Sequence, residues 1–113
     1  MDCLFCRIVK REGRANIVYQ DEAVTAFRDI NPQAPTHILI VPNQHLSSID
    51  EIRPDHAGLL GQMFTVASQL AAQEGIDQTG YRLVINCGSQ AGQSVYHLHL
   101  HLLGGRWMKW PPG

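Results

Sequence analysis

His97, His99 and His101 stand at every second position of the run His97-Leu98-His99-Leu100-His101-Leu102-Leu103, which follows directly on Ser94-Val95-Tyr96. Imidazole serves near neutral pH as base, acid, nucleophile or metal ligand, so three in one run concentrate chemistry. Strict alternation predicts a β-strand over 97–103, with alternate side chains on one face about 6.6 to 6.8 Å apart. The leucines then bury the other face and mount the imidazole row on a rigid core element. The bland alternative is a strand of merely satisfied polar histidines, and three in register weigh against it.

Two chemistries fit the row. His-x-His on a strand can place two imidazoles on one zinc ion. Alternatively, a neutral imidazole attacks an electrophile while its neighbours fix its tautomer and donate hydrogen bonds. The loop upstream separates them. Gly88 and Gly92 free the backbone to converge its N–H groups on an anion, while Gln93 and Ser94 add side-chain donors. A phosphate-sized pocket beside the histidines makes phosphorus the electrophile. Taken alone, such glycines are ordinary turn residues, and the signal lies in their adjacency to the row.

The elements that must hold these residues follow from periodicity. Leu4-Phe5-Cys6-Arg7-Ile8-Val9 predicts a short helix packing Phe5 and Ile8 inward and ended by Gly13. Ile17-Val18-Tyr19 and Val24-Thr25-Ala26-Phe27 predict an antiparallel hairpin, after which the prolines of Asn31-Pro32-Gln33-Ala34-Pro35 interrupt the ladder. Thr36-His37-Ile38-Leu39-Ile40-Val41 reads as a buried central strand stopped by Pro42. The period then changes. Leu59, Leu60, Met63, Phe64, Ala67, Leu70 and Ala71 recur at three- and four-residue steps, predicting a long helix from about Pro54 to Glu74 with Gly75 as its stop. Tyr81-Arg82-Leu83-Val84-Ile85-Asn86 and the histidine strand complete five strands. The fold class is therefore α+β: a mainly antiparallel five-stranded sheet, one long helix and a short N-terminal helix. Trp107 and Trp110 in the closing residues are too apolar to flap in water and are expected to dock on their own sheet or on a second subunit.

Composition bounds the partners. A chain of 113 residues, 44% hydrophobic, fits one domain spanning 1–113. A net charge of -1, from 9 basic and 10 acidic residues, argues against a broad footprint for duplex nucleic acid or an anionic membrane. The start Met1-Asp2-Cys3 lacks a basic region leading into an apolar run, and the odd set Cys3, Cys6 and Cys87 does not resemble a secreted disulfide framework. A soluble, cytoplasmic protein with reduced thiols is the expectation.

Gly92-Gln93-Ser94-Val95-Tyr96-His97-Leu98-His99-Leu100-His101-Leu102-Leu103-Gly104-Gly105-Arg106 resembles the signature of the histidine triad (HIT) superfamily, in particular its nucleotide-binding (Hint) branch. Phe27-Arg28-Asp29-Ile30, Pro32-Gln33-Ala34-Pro35-Thr36-His37 and the closing Trp110-Pro111-Pro112-Gly113 extend the resemblance over nearly the whole chain. It implies a homodimer whose sheet continues across the two subunits, with the tail 104–113 at the interface and active site. It also implies hydrolysis of the P–N bond of purine nucleoside 5'-phosphoramidates, such as AMP linked to an amine.

Carried over by motif position, His99 is the nucleophile that forms a nucleotidyl-histidine, with His97 and His101 as its supports. Ser94 and the Gly92/Gln93 backbone hold the phosphate. Asp29 accepts hydrogen bonds from the ribose, Phe5, Ile8, Phe27 and Ile30 line a purine slot, Asn86 lies near the phosphate, and Trp110 belongs to the nucleotide site. Each has a plainer reading: core for the apolar four, a turn residue for Asp29. His37, on a buried strand, reads as a satisfied core histidine. Two other functions remain open, a dinucleoside polyphosphate hydrolase and a nucleotide-binding interaction module with vestigial hydrolysis.

Cys3-Leu4-Phe5-Cys6 departs from the vertebrate-type pattern of that branch. Many bacterial relatives carry such a pair and use it, with counterparts of His45 and His97, to bind a structural zinc; no cofactor is required for the catalysis itself. Cys3, Cys6, His45 and His97 could close a tetrahedral site, and two reduced thiols without metal is the other state the residues allow. With zinc bound, His97 is structural and His99 and His101 carry the chemistry.

Overall fold

The computed structural model describes residues 2–113, so Met1 of the expected start lies outside the described residues. Five strands form one antiparallel sheet: β1 (Ile17–Gln20), β2 (Val24–Arg28), β3 (Thr36–Pro42), β4 (Tyr81–Val84) and β5 (Leu100–Gly104), in the order β1-β2-β3-β5-β4. A short helix α1 (Leu4–Val9) and a long helix α2 (Ala57–Gln73) complete the expected α+β fold. Among the described residues no helix is long and apolar enough to cross a membrane.

Period-2 alternation sorts the sheet's side chains between two cores. Ile38 and Ile40 of β3 and Leu100 and Leu102 of β5 pack with Met63, Val66, Ala67, Leu70 and Ala71 of α2. Leu39 and Val41, on the other face of β3, pack with Phe27 and with Phe5 and Ile8 of α1. β3 is thus covered on both faces, which is why it reads as a continuous apolar run.

Four boundaries differ from the sequence reading. α1 closes at Val9, with Arg11 rather than Gly13 taking the left-handed position behind it, at φ 60°. The long helix begins at Ala57, after a single 3-10 turn over Pro54–His56, and its inner stripe uses Val66 while Phe64 is 42% exposed. β4 ends at Val84, two residues short of Asn86.

The fourth difference concerns the histidine row. β5 begins only at Leu100, so His97 and His99 precede the paired strand rather than belonging to it. The alternation survives, with Leu98 buried beside Leu100 and Leu102, but the ladder does not. Its last pair is Ile40 with Leu100. Beyond it the acceptors are taken by imidazoles: His97 Nε2 lies 2.8 Å from Pro42 O and His99 Nδ1 lies 2.7 Å from His97 O. Leu98 N donates instead to Leu46 O at 2.6 Å.

Candidate active site and metal centre

A cavity of about 550 Å³ opens between α1 and the sheet, with Phe5, Ile8, Phe27 and Ile30 on its apolar walls and Asp29, Ser94, His99 and His101 among its polar groups, beside Glu12, Arg14, Asn16 and Arg28. Phe5 meets Phe27 edge-on at 5.2 Å between ring centroids and His99 edge-on at the same separation. Phe5, Phe27 and His99 are buried, and the fully exposed Ile30 forms the rim. Neither His97, Asn86, Gly92, Gln93 nor Trp110 lines this cavity in its own chain. Trp110 is 82% exposed and Trp107 95%.

Backbone groups assign the tautomer of each ring. The carbonyl of His97 can only accept, so the 2.7 Å contact places the proton of neutral His99 on Nδ1 and leaves a lone pair on Nε2. In the same way Pro42 O places the His97 proton on Nε2, and Nδ1 keeps its lone pair. A longer chain fixes His101. Gln33 N donates to His37 Nδ1 at 3.0 Å, so His37 Nε2 carries the proton and donates to His101 Nδ1 at 2.9 Å. His101 is left with its proton on Nε2. That nitrogen is the buried side-chain polar atom without a partner among the described residues, a donor on a cavity-lining ring.

Electrostatics favour the neutral form of His37, His97 and His101. Burial pushes His101 down to about 4, with His99 and His37 lowering it further and Asp29 opposing. Burial also lowers His37 and His97 below the ordinary histidine value. Asp29 has one carboxylate oxygen tied to Asn31 N at 2.8 Å and the other 3.4 Å from His37 Nε2. A lone pair and an N–H donor thus sit on adjacent rings, His99 and His101, with centroids 5.0 Å apart. Such a pair suits attack on phosphorus with donation to its oxygens.

The loop between β4 and β5 contributes differently from the expectation. Gly92 N and Gln93 N donate within the loop, to Ser89 O and Gly88 O. The Gln93 amide is fully engaged: it accepts from Gly88 N at 2.9 Å and donates to Ser47 O at 2.8 Å and Val95 O at 3.1 Å. Gln93 therefore braces the loop and offers no free side-chain donor, which leaves Ser94, exposed at the cavity, as the available hydroxyl.

His97 faces a second cluster. Cys3, Cys6, His45 and His97 bring one ligand atom each to within 4.8 Å of one another. Tetrahedral zinc with bonds of about 2.3 Å to sulfur and about 2.0 to 2.1 Å to nitrogen requires edges of about 3.5 Å for S···N and about 3.3 Å for N···N. The observed S···N separations are 3.4, 3.3 and 3.6 Å, and the two histidine Nδ1 atoms are 3.2 Å apart. Burial and the neighbouring Cys3 push the Cys6 thiol up, a penalty that a cation reverses. The set fits zinc, and Pro42 O already supplies the outer hydrogen bond that such a ligand histidine carries.

Asp29, His37 and His101 form another close group. It does not suit a metal in the same way. A neutral His37 that accepts from Gln33 N has its proton on Nε2, the atom a metal would need, so ligation there costs the Gln33 hydrogen bond. His37 belongs to the site as the link from the Gln33 backbone to His101, a placement the sequence reading missed. The signal for it was a lone imidazole on an otherwise apolar strand.

The pattern of the family described as "Scavenger mRNA decapping enzyme C-term binding" matches residues 2–109. The crystal structure of a HIT family hydrolase from Legionella pneumophila Philadelphia 1 superposes with a TM-score of 0.97 at 52% identity, covering 99% of this chain and 100% of that one. The chain belongs to the histidine triad family. Two relatives in sequence are informative. The purine nucleoside phosphoramidase of Escherichia coli (strain K12) is 53% identical over 105 residues, covering 93% of this chain and 88% of the relative. The 14 kDa zinc-binding protein of Zea mays is 53% identical over 112 residues, covering 97% of this chain and 87% of the relative.

Proposed function

We propose that this chain hydrolyses the P–N bond of purine nucleoside 5'-phosphoramidates through a nucleotidyl intermediate on His99. The observation that carries the reading is the wiring of His99: its Nδ1 proton is tied to His97 O, leaving an Nε2 lone pair on a ring that lines the cavity. The name of the Escherichia coli relative supports the substrate class.

His99 Nε2 attacks the α-phosphorus as the P–N bond breaks, and the nitrogen leaves as an amine after taking a proton relayed from solvent through Ser94. Water then attacks the nucleotidyl-histidine and gives its proton back to solvent, releasing AMP and restoring the neutral ring. His101 Nε2–H donates to a phosphate oxygen throughout. Phe5, Ile8, Phe27 and Ile30 clamp the purine, and Asp29 accepts from the ribose hydroxyls. Gly92 and Gln93 shape the loop that presents Ser94, with Asn86 at its base. The preference for nitrogen follows because a protonated amine leaves readily, whereas an alkyl ester must expel an alkoxide.

The same reading makes Cys3, Cys6, His45 and His97 the ligands of a structural zinc, which when bound supplies rigidity rather than chemistry to the phosphate. It also makes the protein a cytoplasmic homodimer in which Trp110 reaches the neighbouring subunit's cavity. Turnover of a fluorogenic AMP-amine conjugate by the wild type and by His99→Ala, beside diadenosine triphosphate as comparator, tests it. The wild type should release the amine with burst formation of a His99 adduct, and the variant should be slower by at least about 10³-fold. Equal rates would remove the mechanism, and preference for the dinucleotide would remove the substrate class.

A further inference from the structure

The metal centre and the nucleophile share one residue, and they share it through the backbone. His97 turns its ring to the Cys3–Cys6–His45 cluster and its carbonyl to His99 Nδ1. The ring is 0% exposed and held on its far side by Pro42 O, so a fixed ring fixes the peptide that carries the carbonyl. A second connection runs through α1. Cys3 caps that helix by accepting from Cys6 N at 3.4 Å, so Cys3 stands at its N-cap and Cys6 in its first turn. Phe5, between them in sequence, packs edge-on against His97 at 6.0 Å and His99 at 5.2 Å. The residues that would bind the metal therefore reach the ring proposed to attack phosphorus by two routes, the His97 carbonyl and the Phe5 ring.

We propose that the Cys3–Cys6–His45–His97 centre, filled by zinc, positions the nucleophile: it anchors the His97 peptide, whose carbonyl holds His99 in the Nδ1–H tautomer, and it anchors Phe5 against the His99 ring. Cys3, Cys6 and His45 are then positioning residues, acting on turnover without touching substrate. This rests on the phosphoramidase reading for its kinetic arm only, because the state of the His99 ring is observable in the resting protein. Without the metal only burial and Pro42 O hold the His97 ring. That hold is expected to let the His97 peptide move enough for His99 to divide between two tautomers, of which only one presents Nε2 as a lone pair.

The test uses His45→Ala, which removes one ligand while leaving α1 and the His97 peptide intact in sequence, and His45→Cys, which restores a ligand of a type zinc accepts. Three quantities are read on each folded chain: zinc per chain by elemental analysis, the ¹⁵N shifts of the His99 ring nitrogens, and kcat and KM on the AMP-amine conjugate. Wild type should hold one zinc per chain and show a single Nδ1–H tautomer. His45→Ala should lose zinc, show averaged ring nitrogen shifts, and lose about 10- to 100-fold in kcat with little change in KM. His45→Cys should recover all three. A zinc-free His45→Ala chain that keeps the single tautomer overturns the proposal, as does a wild-type chain that takes up no zinc. If the wild type has no phosphoramidase activity, the substrate reading fails while the ring shifts still decide the positioning role.

Discussion

A neutral imidazole holds one proton, and the nitrogen that holds it decides whether the ring attacks or donates. In this chain those decisions are made by backbone groups: His97 O for His99, Pro42 O for His97, and Gln33 N, through His37, for His101. The arrangement requires neutral rings, and that makes stability depend on pH. Burial lowers both His37 and His101, the latter to about 4. An unfolded histidine titrates near 6.5, so between about pH 6.5 and 4 the unfolded state binds more protons and stability rises with pH. The contribution is full above pH 6.5 and lost as pH falls toward 4. For His101 the loss between pH 7 and pH 4.5 should be about 2 kcal/mol. Urea unfolding of the wild type and His101→Gln at both pH values measures it; equal losses in the two chains would refute the assignment. The row itself was legible in the sequence, as was the candidacy of His99. The part played by His37 was not, because it depends on strand register: Leu39 pairs with His101 and His37 with Leu103, which makes His37 and His101 diagonal neighbours on one face.

Elements were legible where a period ran unbroken and obscure where side chains took over backbone partners. The stripe through Met63, Ala67, Leu70 and Ala71 gave α2 because all four reach one core. The start of β5 was hidden because its alternation continues through Leu98 while its ladder does not, His97 and His99 having taken the available carbonyls. At its other end β5 has a tight closure. Gly104, paired with both Thr36 and Tyr81, leaves no room for a side chain: a Cβ there would lie 2.5 Å from Ile76 Cδ1 and 3.1 Å from Ile76 Cβ. Gly104→Ala should therefore cost about 1–3 kcal/mol through overpacking. Ile76→Val removes the nearest methyl, so the double variant should be more stable than the sum of the two single losses. Denaturant unfolding of the four chains gives the coupling; simple additivity would place the cost of Gly104→Ala elsewhere.

At the scale of the whole molecule, the surface is unfinished along one edge. β4 is a terminal strand of the sheet, with Tyr81 37% exposed. The tail runs beside it: the Arg82 guanidinium donates to Lys109 O at 3.0 Å, and Tyr81, Arg82, Trp107 and Met108 share a cavity of about 450 Å³. Open strand edges pair readily, and exposed tryptophans mark surfaces that bury on association. Joining two copies along β4 would carry each tail toward the other subunit, where Trp110 could close a cavity it does not line in its own chain. Sedimentation should then show a dimer at micromolar concentration. The crossing itself is tested by mixing inactive His99→Ala chains with Trp110→Ala chains under exchange conditions. In the mixed dimer, the subunit with an intact His99 receives its Trp110 from the partner, so wild-type KM should return for one site per dimer. A tail serving its own subunit predicts the opposite, because the only chain able to react then lacks its tryptophan. Unrestored KM in a demonstrated heterodimer would rule out the crossing, and a monomer in sedimentation would rule out the interface.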